Sequence, residues 1–328
     1  MPLLLSTRAA TRSPVPLITS AEGRARGIRL PDPGYIRIRH GVYADARAVA
    51  ALAPWERYAA RVHAFVLAHP GAILGLEPAA VFHGIPLFGE CRDIHVYDPD
   101  RAASRRFGDV CVHTSEDARE VAEVDGVAVT SLADTVVDLM RALPPAQALA
   151  VVDAAVSPVQ GGSASLAVLR ELASDRADRR GSRGLTWALD RADPRAESPG
   201  ESVSRAVIEW SGFETPELQR TFHYEGNEDR SDFFFPRAGA VGESDGWGKY
   251  DLGDAAAAER HLRNEKRRED RLRRHGHGFA PWDYADAVRV EPMCRALTQA
   301  SVRVIRAPDR ARLASLHRAP RLLRRPPA

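Results

Sequence analysis

The clearest helical alternation of apolar and polar positions lies in the last third of the chain. Ser198, Pro199 and Glu201 form a helix-start pattern, with serine as N-cap and proline at the first helical position. Apolar side chains then recur at helical spacing over residues 203–210, and Gly212 ends the pattern. The segment therefore predicts an amphipathic helix that begins with an acidic residue in its first turn.

A β-hairpin is predicted after this helix. Asp232 opens an aromatic run bounded by proline, and Gly239 marks a turn before a second run over residues 241–245. Since side chains alternate along a strand, Glu243 and Asp245 are expected on one face.

Acidic side chains on one face repel each other and resist burial unless positive charge lies between them. A divalent cation such as Mg²⁺ or Mn²⁺ would supply that charge, and it can both clamp a phosphodiester and activate water. Asp232, Glu243 and Asp245 are the predicted metal ligands and catalytic acids. Lys249 is predicted to contact the phosphate, and Glu201 to support the site from the helix.

A long basic helix is predicted from about Ala255 to His275, with Gly276 just past its end. Glu265 and Glu269 complete an apolar stripe at positions where apolar side chains would be expected. The other faces carry cations at a density suited to a phosphate backbone. The predicted DNA contacts on this helix are Arg263, Lys266, Arg267 and Arg271.

Asp232, the Glu243–Gly246 run and the helix over residues 265–272 together resemble the restriction-endonuclease-like PD-(D/E)XK fold. The most similar branch is the group of domains related to very-short-patch-repair endonucleases, and the resemblance covers residues 197–290. It implies an α/β domain with a helix, a mixed sheet that carries the acids, and a second helix across the sheet. In that motif lysine follows the second acid by two positions, whereas here Asp245 stands there and the nearest lysine is Lys249.

Each of these residues also has a purely structural interpretation. Glu201 could be the reciprocal partner of a capping box, and Asp232 could simply start a strand. Glu243 and Asp245 could form a solvated strand face before an Asp-Gly turn. Glu265 and Glu269 could form intrahelical pairs with neighbouring arginines, the favoured interpretation for Glu269.

Whole-chain composition predicts a cytoplasmic protein with more than one domain. The 328 residues are 44% hydrophobic and 27% charged, and the net charge is +2. Three cysteines occur without metal or disulfide spacing. No stretch approaches the roughly 18 apolar residues of a membrane span, so no membrane association is expected.

The first half of the chain predicts an α+β region with a basic strand near its start. Arg37 and Arg39 alternate with isoleucines, and the helix-then-strand order suggests a degenerate winged-helix module over residues 1–45, with both arginines on DNA phosphates. An α+β domain follows over residues 46–175, with strands expected at residues 94–97, 110–113 and 127–129.

Three segments of this half, at residues 37–43, 77–86 and 126–138, resemble the AbiEi family of antitoxin-type transcriptional regulators in its actinobacterial form. The resemblance covers residues 15–160. It implies an N-terminal winged-helix module, an antitoxin domain, and a nucleotidyltransferase-like toxin as partner. The expected recognition helix is replaced here by a Pro-Asp-Pro segment at residues 31–33.

The histidines of the first half are interpreted as structural. His83 at a helix end could be a general base but is more often a cap or core residue, and His95 and His113 lack metal-ligand spacing.

The sequence thus predicts an AbiEi-like half joined near residues 175–184 to an endonuclease-like domain over residues 185–300, with a basic tail over residues 307–328. The function expected is metal-assisted hydrolysis of DNA phosphodiesters. Two alternatives remain open: a non-catalytic DNA-binding repressor that keeps the nuclease fold as a scaffold, and an antitoxin that neutralises a toxin.

Overall fold

The computed structural model describes residues 8–30, 32–245 and 255–318, apart from the side chains of residues 245, 255–258, 261 and 262. Within these residues the chain forms two compact units. The N-terminal unit contains residues 8–30, 32–142 and 163–182. The C-terminal unit contains residues 143–162, 183–245 and 255–318. Both units combine helices with sheets, which confirms the mixed class expected from the sequence.

The N-terminal unit begins with a small antiparallel sheet in the order β1-β3-β2. Thr19 caps the first helix in a full capping box with Glu22. The elements are β1 (Ile18–Thr19), α1 (Ser20–Ala25), β2 (Tyr35–Arg39), β3 (Val42–Asp45), α2 (Ala46–Ala51) and α3 (Pro54–Ala68). Val15, Ala44 and Ala60 form the centre of their apolar core.

A six-stranded mixed sheet follows in the same unit, in the order β6-β7-β5-β4-β9-β8. Its central strand β5, with the sequence Ile-His-Val-Tyr, is buried at every position. The elements are β4 (Ile73–Leu74), α4 (Leu76–His83), β5 (Ile94–Tyr97), β6 (Arg105–Phe107), β7 (Val110–His113), β8 (Val121–Val124), β9 (Val127–Thr130) and α5 (Leu132–Ala142). The strands predicted near residues 94, 110 and 127 are confirmed, and β4, β6 and β8 are additional.

The histidines of this sheet form a buried polar chain. Nδ1 of His95 lies 2.8 Å from Nε2 of His113, and Nε2 of His95 lies 3.5 Å from a carboxylate oxygen of Glu77. Burial lowers the pKa of His95 to about 3 and raises that of Glu77 to about 7. His83 donates its Nε2 hydrogen to the carbonyl of Thr130 over 2.8 Å, as expected of a structural histidine.

The chain passes between the two units more than once. Helix α6 (Pro145–Val156) belongs to the C-terminal unit, whereas α7 (Leu166–Asp175) returns to the N-terminal one. The sequence-based boundary placed residues 143–162 in the first half. Helix α6 is apolar on nearly all faces, so its sequence pattern does not predict which of the two units it packs in.

The C-terminal unit is built on a four-stranded sheet in the order β10-β11-β12-β13. The first three strands are antiparallel to one another, and β13 runs parallel to β12. The elements are α8 (Ser182–Arg191), α9 (Pro199–Trp210), β10 (Glu217–Tyr224), β11 (Asn227–Phe235), β12 (Ala240–Asp245), α10 (Ala255–Arg274), β13 (Gly278–Asp283), α11 (Tyr284–Arg289), α12 (Glu291–Gln299) and α13 (Arg310–Leu313). The predicted helix–hairpin–helix order is confirmed, and β11 begins earlier than expected.

Asp153 on α6 ties this helix to α9. The buried Asp153 carboxylate accepts a hydrogen bond from Arg205 over 2.6 Å. A charged pair of this kind fixes helix register because either partner alone would be a buried, uncompensated charge.

Helices α9 and α10 contact opposite faces of strand β12. Trp282 lies over Gly242 and donates its Nε1 hydrogen to Ser204 of α9 over 2.8 Å. On the other face, Val241 packs with Leu272 of α10. By alternation, Glu243 points to the α10 face together with Val241.

Residues 309–318 contact the C-terminal unit. Asp309 donates its backbone hydrogen to the carbonyl of Trp210 over 2.7 Å, and Leu316 in a terminal 3₁₀ turn (Ala314–His317) is buried. The described part of the predicted basic tail, residues 307–318, therefore packs against the C-terminal unit. Residues 319–328 lie outside the described part of the chain. Across that part, no helix combines the length and apolarity needed to span a membrane.

Gly242→Ala is expected to destabilise the protein by about 1–3 kcal/mol because the added methyl group overpacks the sheet. A Cβ at this position would lie 2.5 Å from Trp282 and 3.2 Å from Phe235. Urea unfolding measures the effect. Gly184→Ala on α8, whose Cβ would make only ordinary contact with Pro145, is the control and should be neutral or stabilising.

Candidate functional site

Three of the predicted acids converge in the C-terminal unit. Glu201 comes from the first turn of α9, Asp232 from β11 and Glu243 from β12. Glu201 and Glu243 are buried, and Asp232 is half-buried. The β11–β12 register, with Phe233 opposite Gly242, brings Asp232 and Glu243 next to each other across the two strands. We call Glu201, Asp232 and Glu243 the carboxylate cluster.

Glu201 is held by two donors. Its Oε2 accepts the backbone hydrogen of Glu197 over 3.0 Å and a side-chain hydrogen of Gln219 over 2.9 Å. A capping box would instead return its carboxylate to the N-cap, Ser198, whose hydroxyl accepts the Glu201 backbone hydrogen over 3.2 Å. Glu201 thus does more than complete a helix cap, because it links α9 to β10.

Burial and the nearby charge of Asp232 raise the pKa of Glu201 to about 8. Burial also raises the pKa of Glu197, again with a contribution from Asp232, although the Arg230 guanidinium 2.6 Å away opposes the shift. Both shifts include a contribution from Asp232, which places Glu201 and Glu197 near the Asp232 carboxylate. Near pH 7 the Glu201 carboxyl is protonated.

Asp232 and Glu243 contact different groups in the part of the chain that the structure describes. Oδ2 of Asp232 accepts the backbone hydrogen of Ser244 over 2.8 Å, which locks β11 to β12 beyond their regular ladder. Oε2 of Glu243 lies 2.9 Å from a guanidinium nitrogen of Arg268.

Arg268 is the residue that the sequence interpretation missed. It lies on α10, one helical turn before the buried Leu272, and also donates to the carbonyl of Arg230 over 2.8 Å. Burial opposes its charge, but the carboxylates of Glu243, Asp232 and Glu265 outweigh burial and raise its pKa. The spacing from Leu272 could have revealed Arg268, because positions 268 and 269, four and three residues before Leu272, can both lie on the inward-facing side of the helix. Glu269 instead pairs with Arg273 over 2.8 Å, as its structural interpretation predicted.

Gln219 is the second residue missed, and it lies where the β10–β11 hairpin bends. The ladder pairs Glu217 with Phe234 and Phe222 with Asp229, so a flat hairpin would hold the two phenylalanines well apart. Their ring centroids nevertheless lie 5.3 Å apart, and the hairpin is therefore strongly curved. Gln219 adopts φ 55°, a left-handed conformation that is costly for a residue inside a strand. Its side chain donates a hydrogen bond to Glu201, so the bend places a donor next to the carboxylate cluster.

The positions of the Asp245 side chain and of Lys249 relative to the carboxylate cluster are not part of the described structure. Asp245 is the last residue of β12, opposite Asp283 of β13, and its side chain lies outside the description. Lys249 lies outside the described residues altogether.

Among the three predicted metal ligands, Glu243 is paired with Arg268 and Asp232 accepts the backbone hydrogen of Ser244. The side chain of the third, Asp245, lies outside the described residues. Over residues 8–30, 32–245 and 255–318, no three histidine, cysteine or acidic side chains are arranged to hold a metal ion.

The predicted DNA-binding residues divide into exposed and structural ones. Arg263 and Lys266 are exposed and pair with acids of their own helix, Glu259 and Asp270, and Arg267 is exposed as well. Arg271 forms a fork with Asp229, with both contacts at 2.6 Å, and is largely buried. Residues 259–274 contain eight arginines and lysines against four acids, so this helix presents a positive surface.

In the N-terminal unit the two predicted arginines also differ. Arg37 is exposed on β2. Arg39 pairs with Asp109 at 3.2 Å and lies over the Phe65 ring at 4.8 Å. A β-bulge between the two residues explains why Arg37 and Arg39 differ in exposure, although side-chain alternation would place both on one face of β2.

Comparison with known proteins finds relatives of the same length class. Uncharacterized protein MT2308 of Mycobacterium tuberculosis (strain CDC 1551 / Oshkosh) and uncharacterized protein Rv2248 of strain ATCC 25618 / H37Rv are each 33% identical over 295 residues. The match covers 88% of this chain and 97% of each relative. The chain belongs to their family. No protein-family model and no solved structure matches it.

Glu201→Gln should make the free energy of unfolding of this protein less dependent on pH. The raised pKa means that folded Glu201 keeps its proton between about pH 4.5 and 8, so its contribution is present below that window and is lost as the pH rises through 8. The wild type should therefore lose about 3 kcal/mol of unfolding free energy between pH 6 and 9, at about 1.4 kcal/mol per pH unit up to pH 8, and the variant should not. Urea unfolding at both pH values measures this. The exposed Glu228→Gln should behave like the wild type, and parallel pH profiles for all three proteins would contradict the assignment.

Proposed function

We propose that this protein binds DNA and that its C-terminal unit is an endonuclease-like domain which holds phosphates along α10. The observation that carries the proposal is the exposed cationic surface of Arg263, Lys266 and Arg267 on the helix that also supplies Arg268 to the carboxylate cluster. Under this proposal the N-terminal unit is the regulatory, AbiEi-like half.

The ion pairs of these cations do not prevent phosphate binding. Arg263 pairs with Glu259 and Lys266 with Asp270, in both cases four residues away on the same exposed helix face. Such surface pairs contribute about 0–1 kcal/mol, so a phosphate that brings its own charge and releases counterions can displace them. The contacts carry no base specificity, which favours binding with little dependence on sequence.

Arg263→Ala, Lys266→Ala and Arg267→Ala combined should weaken DNA binding by about tenfold or more and flatten its salt dependence, because each lost phosphate contact removes about 0.9 from the log–log slope. Fluorescence anisotropy with a labelled duplex in EDTA, at several salt concentrations, measures both quantities.

The matched control replaces Arg289, Arg295 and Arg303, exposed arginines on other segments of the same unit, by alanine. It removes the same charge and should retain most of the affinity and slope. Equal losses in the two triple variants would mean that net charge alone, and not α10, determines binding.

A second candidate function is hydrolysis of the bound phosphodiester, which the convergence of Glu201, Asp232 and Glu243 favours. Its residues would be those three acids with Asp245 and Lys249, and its expected cofactor Mg²⁺ or Mn²⁺. The arrangement of Arg268 argues against a preformed metal site, so binding without hydrolysis is the first candidate.

Asp232→Ala tests hydrolysis directly. If the cluster is catalytic, the wild type should nick or linearise supercoiled plasmid in Mg²⁺ or Mn²⁺, and the variant should be slower by at least about a hundredfold, since a lost catalytic group typically costs that much. Gel electrophoresis of plasmid time courses provides the measurement. Equal rates, or no cleavage by either protein, would reject catalysis at this site and leave the binding proposal intact.

A further inference from the structure

The position of Arg268 carries an inference about how cations compete for the cluster. Its guanidinium is held from two strands at once, by the Glu243 carboxylate of β12 at 2.9 Å and by the Arg230 carbonyl of β11 at 2.8 Å. Its side chain is about a quarter exposed, and that of Glu243 is 5% exposed. A buried carboxylate needs positive charge nearby, and here the protein supplies that charge itself.

The neighbouring pair on the same helix provides a reference. Arg271 neutralises the equally buried Asp229 with a two-pronged contact, three residues along α10. Asp229 is not a member of the carboxylate cluster. Besides Glu243, the acids near Arg268 are Asp232 and Glu265, whereas besides Asp229 the acid near Arg271 is Glu225. The two pairs therefore resemble each other in burial and chemistry but differ in the number of further acids near the cation.

We propose that Arg268 is a built-in cation that occupies the place of a divalent metal ion, so that Arg268 and the metal compete for Glu243. A metal ion binds with useful affinity only when the Arg268 guanidinium withdraws or is removed. The inference deepens the second candidate function, because it names the residue that controls cation access to the same acids.

Arg268→Met tests the competition without DNA and without activity. It keeps a long apolar stem on α10 and removes the charge beside Glu243. The full-length variant should bind Mg²⁺ or Mn²⁺ at least about tenfold more tightly than the wild type by calorimetry, and its melting temperature should rise by several degrees with the metal. The wild type should show neither response in buffer of matched ionic strength.

Arg271→Met is the control. It removes a comparable buried guanidinium and should be destabilised, but Mg²⁺ and Mn²⁺ should not restore its stability, because Asp229 lacks the other acids of the cluster. If Arg268→Met folds poorly without metal, recovery on refolding with Mg²⁺ or Mn²⁺, and not with added NaCl, is the supporting result. Arg268→Lys, which keeps a charge but loses the planar fork, should bind metal more weakly than Arg268→Met.

Three outcomes would overturn the inference: metal affinity in the wild type equal to that of Arg268→Met, no metal response in either protein, or equal rescue of both methionine variants. Because the measurement contains no DNA, its failure leaves α10-dependent DNA binding untouched. Loss of that binding would equally leave the competition result standing.

Discussion

The buried ion pair between Arg268 and Glu243 is the contact around which the C-terminal unit is organised. An acid on the inner face of a sheet can remain charged only if a cation reaches it, and that requirement sets the position of α10 over β12. The same helix is anchored by Leu272 against Val241 and by Arg271 against Asp229. Two ionic contacts and one apolar contact thus lie on one helical face and fix the helix in register and rotation.

The curved β10–β11 hairpin positions Gln219 and Asp229, which contact α9 and α10. Its bend at Gln219 brings Phe222 against Phe234 and lets the hairpin reach α10, where Asp229 meets Arg271. A flat hairpin would leave Gln219 and Asp229 without these partners. The strain of a left-handed conformation at Gln219 is therefore compensated by an aromatic cluster and by the hydrogen bond to Glu201.

This arrangement separates two tasks that one helix performs. The inner face of α10 neutralises buried acids, and its outer face keeps exposed cations whose pairs are local and weak. Arg268 and Arg271 are structural for this reason, whereas Arg263, Lys266 and Arg267 remain accessible to phosphates. Composition cannot separate these classes, because all five residues carry the same charge in one short segment.

Local patterns alone determined much of the fold. Ser198-Pro199 predicted the start of α9, the aromatic run and Gly239 predicted the hairpin of β11 and β12, and Gly276 predicted the end of α10, because capping, alternation and turn chemistry act over a few residues. The same patterns, combined with the resemblance to the PD-(D/E)XK fold, predicted that Glu201, Asp232 and Glu243 lie close together.

Only the tertiary structure decided which cation meets those acids, which unit α6 joins, and where the β10–β11 hairpin bends. Each of these depends on contacts between residues far apart in sequence, such as Arg268 with Glu243 or Gln219 with Glu201. A helical stripe tolerates either position 268 or 269 on its inner side, and an all-apolar helix accepts any apolar partner. Burial and charge compensation resolve such choices only once the chain has folded.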